Sequence, residues 1–391
     1  MLKDGQTLNS YILSEPPEIL YLRLTHKCNL NCMYCCQDSK HYGPLMDLRI
    51  VKKALKEAKE YGVKLIHLDG GEPLLHPRFL NIIDLIVKHD FLVGIATNST
   101  LLTKNVIAKL SDINLNQILT NIDGREALHN KLRGSHLAFK RTIKALSILK
   151  EFDLLRKTVI ATVLTKLNYK EIPQIIEMVE RDYKGIREYR IITLIPIKRG
   201  GDHKGVLLME KYDWMTFIYG TLPKILSRKI GVKISFSQML LFQVLKNVRF
   251  SNGSIEEVLP LIMDKIRGLK GVFGCEGGER IMIIDVDGRA LPCPHLPDLS
   301  TSLTIERTSL ELLWNSEVFK AFRKNKYSLP IECRDCIFSD FCKGGCQAYK
   351  YASGVNLEER DPRCKIFEEI RRELKDGTRI EHPGNRDNQC L

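Results

Sequence analysis

Short apolar runs alternate with amphipathic stretches through the first half of the chain. The runs have the length and composition of buried strands, and six are found, at residues 19–25, 63–68, 91–98, 115–123, 157–164 and 187–195. The stretches between them carry apolar residues at helical spacing, which predicts helices from Asp47, from about Pro77 and over residues 104–111, 137–150 and 171–181. Strands that alternate with helices predict an α/β fold whose parallel sheet is built from right-handed crossover units.

The first predicted helix shows the pattern clearly. Asp47 is a favourable N-cap residue, and the apolar residues after it fall on one face of a helix: Ile50, Val51, Ala54, Leu55, Ala58 and Tyr61. Residues 196–206 then interrupt the alternation with one proline and three glycines, and residues 208–270 are predicted to be mostly helical.

Polar or cysteine-rich segments follow four of the predicted strands. They are the loop after residue 25, Gly70-Gly71-Glu72-Pro73, Thr97-Asn98, and Asn121 with Asp123-Gly124. Because ligands of parallel sheets bind at the carboxyl ends of the strands, these segments are expected to meet at one site.

The loop after the first strand carries Cys28, Cys32 and Cys35 at C-x3-C-x2-C spacing. Three thiolates this close can hold three irons of a four-iron cluster and leave the fourth iron open to a chelating small molecule. A zinc knuckle or three buried thiols is the alternative, but zinc motifs usually come as two pairs and no second pair lies nearby. Cys36 follows directly, and because adjacent side chains point apart on an extended chain, we interpret it as a packed thiol.

Eight further cysteines follow, of which Cys390 in the polar tail is interpreted as a free thiol, and the other seven are Cys275, Cys293, Cys333, Cys336, Cys342, Cys346 and Cys364. Between the first two, RIMIIDVDGRALPC is typical of two short strands around a turn. Taken alone, Cys333, Cys336, Cys342 and Cys346 would fit a zinc ribbon equally well.

Composition agrees with a soluble globular protein. The chain has 391 residues, of which 44% are hydrophobic and 27% charged. No run of eighteen apolar residues and no export signal is found, so we predict a cytoplasmic protein that binds no membrane. Twelve cysteines in such a protein favour metal binding over disulfides.

The net charge of +13 is consistent with an acidic peptide, a small molecule with several carboxylates, or a nucleic acid as partner. The Lys and Arg residues are spread along the chain without a dense basic block, which favours a solvated basic surface. A nucleic-acid partner is not expected.

These motifs resemble the radical S-adenosylmethionine (radical SAM) enzymes of the SPASM branch. The resemblance includes the cysteine loop with Tyr34 before its third cysteine, the GGEP turn, and the spacing of the seven later cysteines, and covers about residues 19–366. It implies a six-fold partial β/α barrel followed by a small cysteine-rich SPASM domain with a β-hairpin. The predicted divisions are an N-terminal segment (1–18), the barrel (19–200), a helical bridge (201–270), the SPASM domain (271–370) and a polar tail (371–391).

The resemblance implies S-adenosylmethionine and three [4Fe-4S] clusters as cofactors. An electron from the first cluster would cleave S-adenosylmethionine and release a 5′-deoxyadenosyl radical. The implied contacts to S-adenosylmethionine are Gly70, Gly71, Glu72, Pro73, Thr97, Asn98, Asn121 and Arg133. Glu72 would either orient the turn or meet the methionine ammonium, and Arg133, in HNKLRG, would either pair with the carboxylate or form a structural salt bridge.

Carried over by position, Cys275, Cys293 and Cys346 would bind a first auxiliary cluster. The second would be bound by Cys333, Cys336, Cys342 and Cys364. Some relatives have another cysteine shortly before the position of Cys275, whereas GLKGVFG here contains none. The first auxiliary cluster is therefore expected to have an open iron or a ligand such as Glu276 or His295.

The implied activity is hydrogen abstraction from a peptide or protein substrate, which modifies or cross-links it. Ferredoxin or flavodoxin is the expected electron donor. Modification of a tetrapyrrole side chain is the alternative, and a non-catalytic iron–sulfur electron carrier is a second one. The catalytic base is not assigned, because Asp285, Asp287 and Asp298 are most simply interpreted as turn residues.

Overall fold

The computed structural model describes residues 15–226, 231–236, 275–336 and 339–375. Within them, nine strands form one sheet in the order β7-β6-β5-β4-β3-β2-β1-β8-β9. The strands are β1 (Ile19–Arg23), β2 (Leu65–Asp69), β3 (Leu92–Ala96), β4 (Leu115–Asn121), β5 (Thr158–Leu164), β6 (Glu188–Thr193), β7 (Ile234–Phe236), β8 (Ile281–Ile284) and β9 (Ala290–Leu291). All neighbours are parallel except β8 and β9.

Helices connect the parallel strands and cover the sheet, as crossover connections require. In the first part of the chain they are α1 (Leu48–Tyr61), α2 (Phe79–Lys88), α3 (Lys104–Ser111), α4 (Glu126–Arg133), α5 (Ala138–Glu151), α6 (Ile172–Asp182), α7 (Arg199–Asp202), α8 (Lys204–Leu207), α9 (Lys211–Thr216) and α10 (Leu222–Leu226). In the C-terminal part they are α11 (Leu310–Trp314), α12 (Glu317–Tyr327), α13 (Ser339–Cys342), α14 (Gln347–Ala352) and α15 (Arg363–Lys375). No helix in the described ranges is both long and apolar enough to cross a bilayer.

The α/β partial barrel is confirmed, with all six predicted strands present as β1 to β6. The predicted cap of α1 is also present, since the Asp47 side chain accepts a hydrogen bond from the backbone N–H of Arg49. Gly62 ends the helix with φ 93°, a left-handed conformation that glycine adopts without a Cβ penalty. Five of the six predicted apolar residues of α1 are buried, and Tyr61 is half-buried.

The sheet extends past the six predicted strands at both edges. The bridge, predicted to be mostly helical, contributes β7, which pairs with β6. The hairpin predicted around the DVDG turn is present as β8 and β9, and β8 also pairs with β1, with Ile19 opposite Ile281. The part of the predicted helical bridge from residue 237 to 270 lies outside the described residues. The predicted division into domains stays a prediction.

Helix α4 and the two short helices α7 and α8 were not predicted. Residues 126–133 read EALHNKLR, in which only Leu128 and Leu132 mark an apolar face, so the helical period is weak. Residues 199–207 were interpreted as a break because of their glycines, yet they form two turns of helix beside the cysteine loop.

Two glycines of the GGEP turn allow the chain entering the cysteine loop to pass against the end of β2. A Cβ at Gly70 would lie 2.5 Å from the carbonyl oxygen of Thr25, and one at Gly71 would lie 2.2 Å from that of Lys27. The backbone N–H of Gly71 donates to Thr25 O at 2.8 Å, and that of Glu72 donates to Lys27 O at 2.7 Å. Because only glycine permits this approach, the turn fixes where the cysteine loop begins.

The other side of the loop rests on the end of α4. The backbone N–H of Asn31 donates to Arg133 O at 3.2 Å, and that of Met33 donates to Leu132 O at 2.9 Å. Gly134 has φ 62°, and a Cβ there would lie 2.4 Å from Asn31 O. The loop is therefore held between the end of β2 and the end of α4 by its backbone.

Replacing Gly71 by alanine should lower the midpoint of urea unfolding by the equivalent of about 1–3 kcal/mol or more, because the new Cβ would overlap backbone atoms that cannot move aside. Gly205→Ala is the matched control, since a Cβ there would meet nothing within 4 Å. The control should stay within ~0.5 kcal/mol of the parent chain. Equal midpoints for the two variants would contradict the proposed close packing.

Candidate functional site

The three thiols of the cysteine loop lie together at the carboxyl end of the sheet. Cys28 and Cys32 are buried, Cys35 is partly buried, and all three pack in one small apolar cluster with Leu30 and Ala138. The backbone N–H of Leu30 donates to Cys28 Sγ at 3.4 Å. Hydrogen bonds of this kind stabilise sulfur ligands of iron–sulfur clusters.

Burial makes these thiols hard to ionise without a cation. It raises the pKa of Cys28 to about 12, to which the neighbouring thiolates contribute, and it raises the pKa of Cys32 as well. Iron bound by the thiolates would supply the missing positive charge. The donor set, three converging thiols with N–H groups directed at their sulfurs, therefore fits an iron–sulfur cluster.

Arg133 connects this cluster of thiols to a buried carboxylate. Its Nε donates to Asp123 Oδ2 at 2.7 Å, and its Nη1 lies 3.8 Å from Cys32 Sγ. The hydroxyl of Tyr34 donates to the same Asp123 oxygen at 2.6 Å, and the guanidinium lies over the Tyr34 ring, 5.3 Å from its centre. The predicted structural salt bridge of Arg133 is therefore present.

The same side chain keeps one donor group available. Arg133 Nη2 is buried and has no hydrogen-bond partner among the described residues. An unpaired buried donor is costly unless a ligand satisfies it. Nη2 is therefore available for the other predicted role of Arg133, a contact to the methionine carboxylate.

Glu72 orients the GGEP turn against the end of β3. Its Oε1 accepts from Thr97 Oγ1 at 2.7 Å and from the backbone N–H of Leu74 at 3.2 Å, and its Oε2 accepts from the backbone N–H of Asn98 at 2.8 Å. Burial raises the pKa of Glu72 to about 7, an effect that these hydrogen bonds partly offset. The carbonyl oxygens of Gly70 and Gly71 accept no hydrogen bond from the described residues, and both remain available to a donor.

The remaining predicted contacts differ in how well they are placed. Asn98 lies beside the thiols, with its Nδ2 3.8 Å from Cys28 Sγ. Pro73 is buried at the start of the turn Pro73–Leu75. Asn121 ends β4 as predicted and is half-buried, and its side chain makes no hydrogen bond with the described residues. Ser99, the residue after Asn98, adopts φ 62°, a left-handed conformation that glycine adopts more readily than serine.

One residue at this site was missed by the sequence analysis. Arg199, the first residue of α7, donates to Cys32 O at 3.2 Å, to Asp38 Oδ1 at 2.9 Å and to Ser39 O at 2.8 Å. It therefore joins Cys32 to the residues that follow the cysteine loop. The glycines around it were interpreted as a break, and Gly200 in fact lies close to the backbone of the loop, since a Cβ there would be 3.2 Å from Tyr34 O.

The C-terminal cysteines fall into two groups by mutual electrostatic influence. Burial raises the pKa of Cys293 well above its usual value, and the negative charges of Cys275 and Cys346 raise it further. Burial likewise raises the pKa of Cys342, and here the cysteine charges that raise it further are those of Cys364, Cys336 and Cys333. No three His, Cys, Asp or Glu side chains of the described residues are gathered tightly enough to hold a single metal ion. The two groups are therefore interleaved in the sequence, because Cys346 belongs with Cys275 and Cys293 and not with Cys342.

A buried ion pair holds the two groups together. Arg363 donates from Nε to Asp361 Oδ1 at 2.8 Å and from Nη2 to Oδ2 at 2.6 Å, with side chains 3% and 0% exposed. Asp361 Oδ2 also accepts from the backbone N–H of Cys346 at 3.1 Å, and Asp361 O accepts from the backbone N–H of Cys364 at 3.0 Å. Asp361 therefore contacts one cysteine of each group.

The three carboxylates considered as catalytic bases all have hydrogen-bond or ion-pair partners. His26 Nε2 and Asp285 Oδ1 are hydrogen-bonded at 2.8 Å, and Arg23 Nη1 donates to Asp285 Oδ2 at 3.3 Å. Although burial raises it, these partners hold the pKa of Asp285 below its usual value. Asp287 and Asp298 are exposed and pair with Arg289 and Tyr351.

Two family models match the chain. Residues 22–179 match the radical SAM superfamily, and residues 275–337 match the SPASM iron–sulfur cluster-binding domain. The two matches stand in the order that the cysteine motifs predict.

Relatives and a solved structure match over most of the chain. The AdoMet-dependent heme synthase of Methanosarcina barkeri is 28% identical over 356 residues, which is 90% of this chain and 97% of that protein. The mycofactocin maturase MftC of Mycobacterium tuberculosis is 25% identical over 362 residues, 90% of this chain and 83% of that protein. SuiB of Streptococcus suis, crystallised with S-adenosylmethionine, shares the fold with TM-score 0.70 and 18% identity, over 92% of this chain and 79% of SuiB.

Replacing Asp361 by asparagine should reduce the iron bound per chain and lower the midpoint of urea unfolding, because it leaves the Arg363 guanidinium buried without its counter-charge. Breaking a buried pair in this way costs about 3–5 kcal/mol. Asp287→Asn is the control, since it breaks a pair whose side chains are 42% and 49% exposed and should cost at most ~1 kcal/mol. If both variants retained the iron and the unfolding midpoint of the parent, Asp361 would not hold the two cysteine groups.

Proposed function

This chain belongs to the radical SAM enzymes with a SPASM domain, and we propose that it abstracts hydrogen from a peptide or protein substrate to modify or cross-link it. S-adenosylmethionine and iron–sulfur chemistry are common to the family, and when bound they supply the 5′-deoxyadenosyl radical that removes the hydrogen. The observation that carries the proposal is the convergence of three thiols, two unoccupied glycine carbonyls and the free Arg133 Nη2.

Different residues of this site bind the cluster and the methionine groups of S-adenosylmethionine. Cys28, Cys32 and Cys35 bind three irons of the cluster. The carbonyls of Gly70 and Gly71 accept from the methionine ammonium, for which Glu72 orients the turn. Arg133 Nη2 donates to the methionine carboxylate, an interaction for which a guanidinium is well suited.

The remaining contacts position the nucleoside part. Thr97 and Asn98 hold the end of β3 next to the cluster, Asn121 reaches the ribose, and Pro73 fixes the turn that follows Glu72. These assignments rest on the polar groups at the carboxyl ends of β2, β3 and β4.

Three four-iron clusters are proposed in all. Cys275, Cys293 and Cys346 bind one auxiliary cluster, and Cys333, Cys336, Cys342 and Cys364 bind the other. Clusters held by these cysteines would supply an acceptor for the electron that remains on the substrate after hydrogen abstraction. A donor such as ferredoxin or flavodoxin supplies electrons to the first cluster.

A peptide is the proposed substrate because the PqqA peptide cyclase of Bradyrhizobium diazoefficiens is 25% identical over 93% of this chain. A tetrapyrrole side chain is the second candidate, favoured by the heme synthase of Methanosarcina barkeri, which matches at a higher identity of 28%. The net charge of +13 suits an acidic peptide and a carboxylate-rich tetrapyrrole alike.

Anaerobic reconstitution followed by analysis of iron, sulfide and zinc tests the cofactor assignment. About twelve irons and no zinc per chain are expected for three four-iron clusters, together with release of 5′-deoxyadenosine from S-adenosylmethionine under strong reduction. About four irons with one or two zincs would make the C-terminal domain a structural clamp and remove its electron-accepting role. Failure to cleave S-adenosylmethionine would favour a non-catalytic electron carrier.

Isotope transfer distinguishes the two substrate classes. Deuterated peptides and deuterated tetrapyrroles with propionate side chains are each incubated with enzyme, S-adenosylmethionine and reductant, and deuterium in 5′-deoxyadenosine is measured. Transfer from a peptide is the expected result. Transfer only from a tetrapyrrole would overturn the peptide assignment and leave the radical chemistry intact.

Replacing Arg133 by lysine should weaken S-adenosylmethionine binding about tenfold to a hundredfold, because one charge-assisted hydrogen bond contributes ~1.5–3 kcal/mol. Affinity is measured by anaerobic calorimetry on preparations with equal iron content, which separates ligand binding from cluster loss. Arg141→Lys on the exposed side of α5 is the control and should bind normally. Normal affinity of Arg133→Lys would exclude the carboxylate contact.

A further inference from the structure

Cys35 and Cys36 are neighbours in sequence, but their side chains pack in two different groups of thiols. Cys35 packs with Cys28 and Cys32. Cys36 packs, as do Cys275, Cys336 and Cys342, against the apolar cluster that contains Cys293 and Cys346. Adjacent side chains of an extended segment point apart, so one dipeptide can face two sites.

The surroundings of Cys36 connect it to the first auxiliary group, which consists of Cys275, Cys293 and Cys346. Cys36 is one of the three thiols whose charge acts on Cys293, together with Cys275 and Cys346. The side chain of Arg23, which is buried, also lies near Cys36 and places a positive charge beside this thiol.

The first auxiliary group lacks a fourth cysteine from the SPASM segment, whereas the second has four. Of the two other candidates, Glu276 is held in an ion pair with Arg280 at 2.7 Å. His295 remains a competitor, because its Nδ1 is buried with no hydrogen-bond partner among the described residues. Thiolates are nevertheless the usual ligands of four-iron clusters.

We propose that Cys36 is the fourth ligand of the first auxiliary cluster, together with Cys275, Cys293 and Cys346. This assignment rests on the proposed three-cluster function, and it replaces the interpretation of Cys36 as a packed thiol. All four irons of that cluster then have protein ligands, so the substrate does not bind to it directly. Ligands of two clusters are joined by one peptide unit, with Cα atoms about 3.8 Å apart, which provides a short covalent path between the clusters.

The test counts auxiliary iron in a full-length chain that carries Cys28→Ala, Cys32→Ala and Cys35→Ala. After anaerobic reconstitution this background should hold about eight irons, as two four-iron clusters. Adding Cys36→Ala should leave one iron without a protein ligand, so that mild oxidation removes about one iron and produces the electron paramagnetic resonance signal of a three-iron cluster, which the background chain should not show. His295→Ala in the same background is the matched control and should change neither quantity.

The outcomes distinguish failure of the Cys36 assignment from failure of the three-cluster function. An unchanged iron content and no three-iron signal in the Cys36→Ala chain would overturn the assignment, and the same signal in His295→Ala would transfer it to His295. A background chain without auxiliary iron would overturn the three-cluster function itself. The spectrum of the second auxiliary cluster reports whether each variant is folded. A Cys36→Ser chain, whose hydroxyl can still ligate, should retain about four irons in the first auxiliary cluster with an altered spectrum.

Single Cys36→Ala in the otherwise unchanged enzyme provides a further check. The first cluster should still form, because Cys28, Cys32 and Cys35 are unchanged. After mild oxidation the three-iron signal should be larger than in the parent enzyme, whose first cluster also has only three protein ligands. Loss of the first cluster instead would show that Cys36 supports the cysteine loop and not the auxiliary site.

Discussion

The close passage of the cysteine loop against the GGEP turn is the constraint on which the site depends. Thr25 O and Lys27 O occupy the space that a Cβ at Gly70 or Gly71 would need. Backbone hydrogen bonds then fix the start of the loop, and bonds to the end of α4 fix its middle. Because the backbone is held on both sides, the fold itself fixes the course of the cysteine loop, as preorganised sites require.

The pairing of β8 with β1 gives the loop a second set of neighbours. The SPASM hairpin continues the barrel sheet, so Asp285, which follows β8, meets Arg23 at the end of β1. Pro294, next to Cys293, accepts from Arg23 Nη2 at 3.3 Å. The end of β1, from which the cysteine loop leaves, therefore contacts the segment that carries Cys293.

Much of the barrel could be predicted, because strands buried on both faces and amphipathic helices have distinct periods. The N-cap at Asp47 and the polar ends of β2, β3 and β4 followed from local sequence in the same way. Helix α4 could not, because its buried face carries His129 and Arg133, polar residues whose burial depends on partners elsewhere. The bond from Arg133 to Asp123 and those from Arg199 to the loop likewise join distant segments, and no local pattern records them.

The central claim is that S-adenosylmethionine binds to the cluster held by Cys28, Cys32 and Cys35. Pulsed electron–nuclear double resonance on the reduced enzyme, with ¹⁵N and ¹⁷O in the methionine ammonium and carboxylate groups, measures it directly. The account predicts hyperfine coupling of both nuclei to the cluster in the parent enzyme, and its loss when the three cysteines are replaced by alanine. A cluster signal without coupling to either nucleus would contradict it.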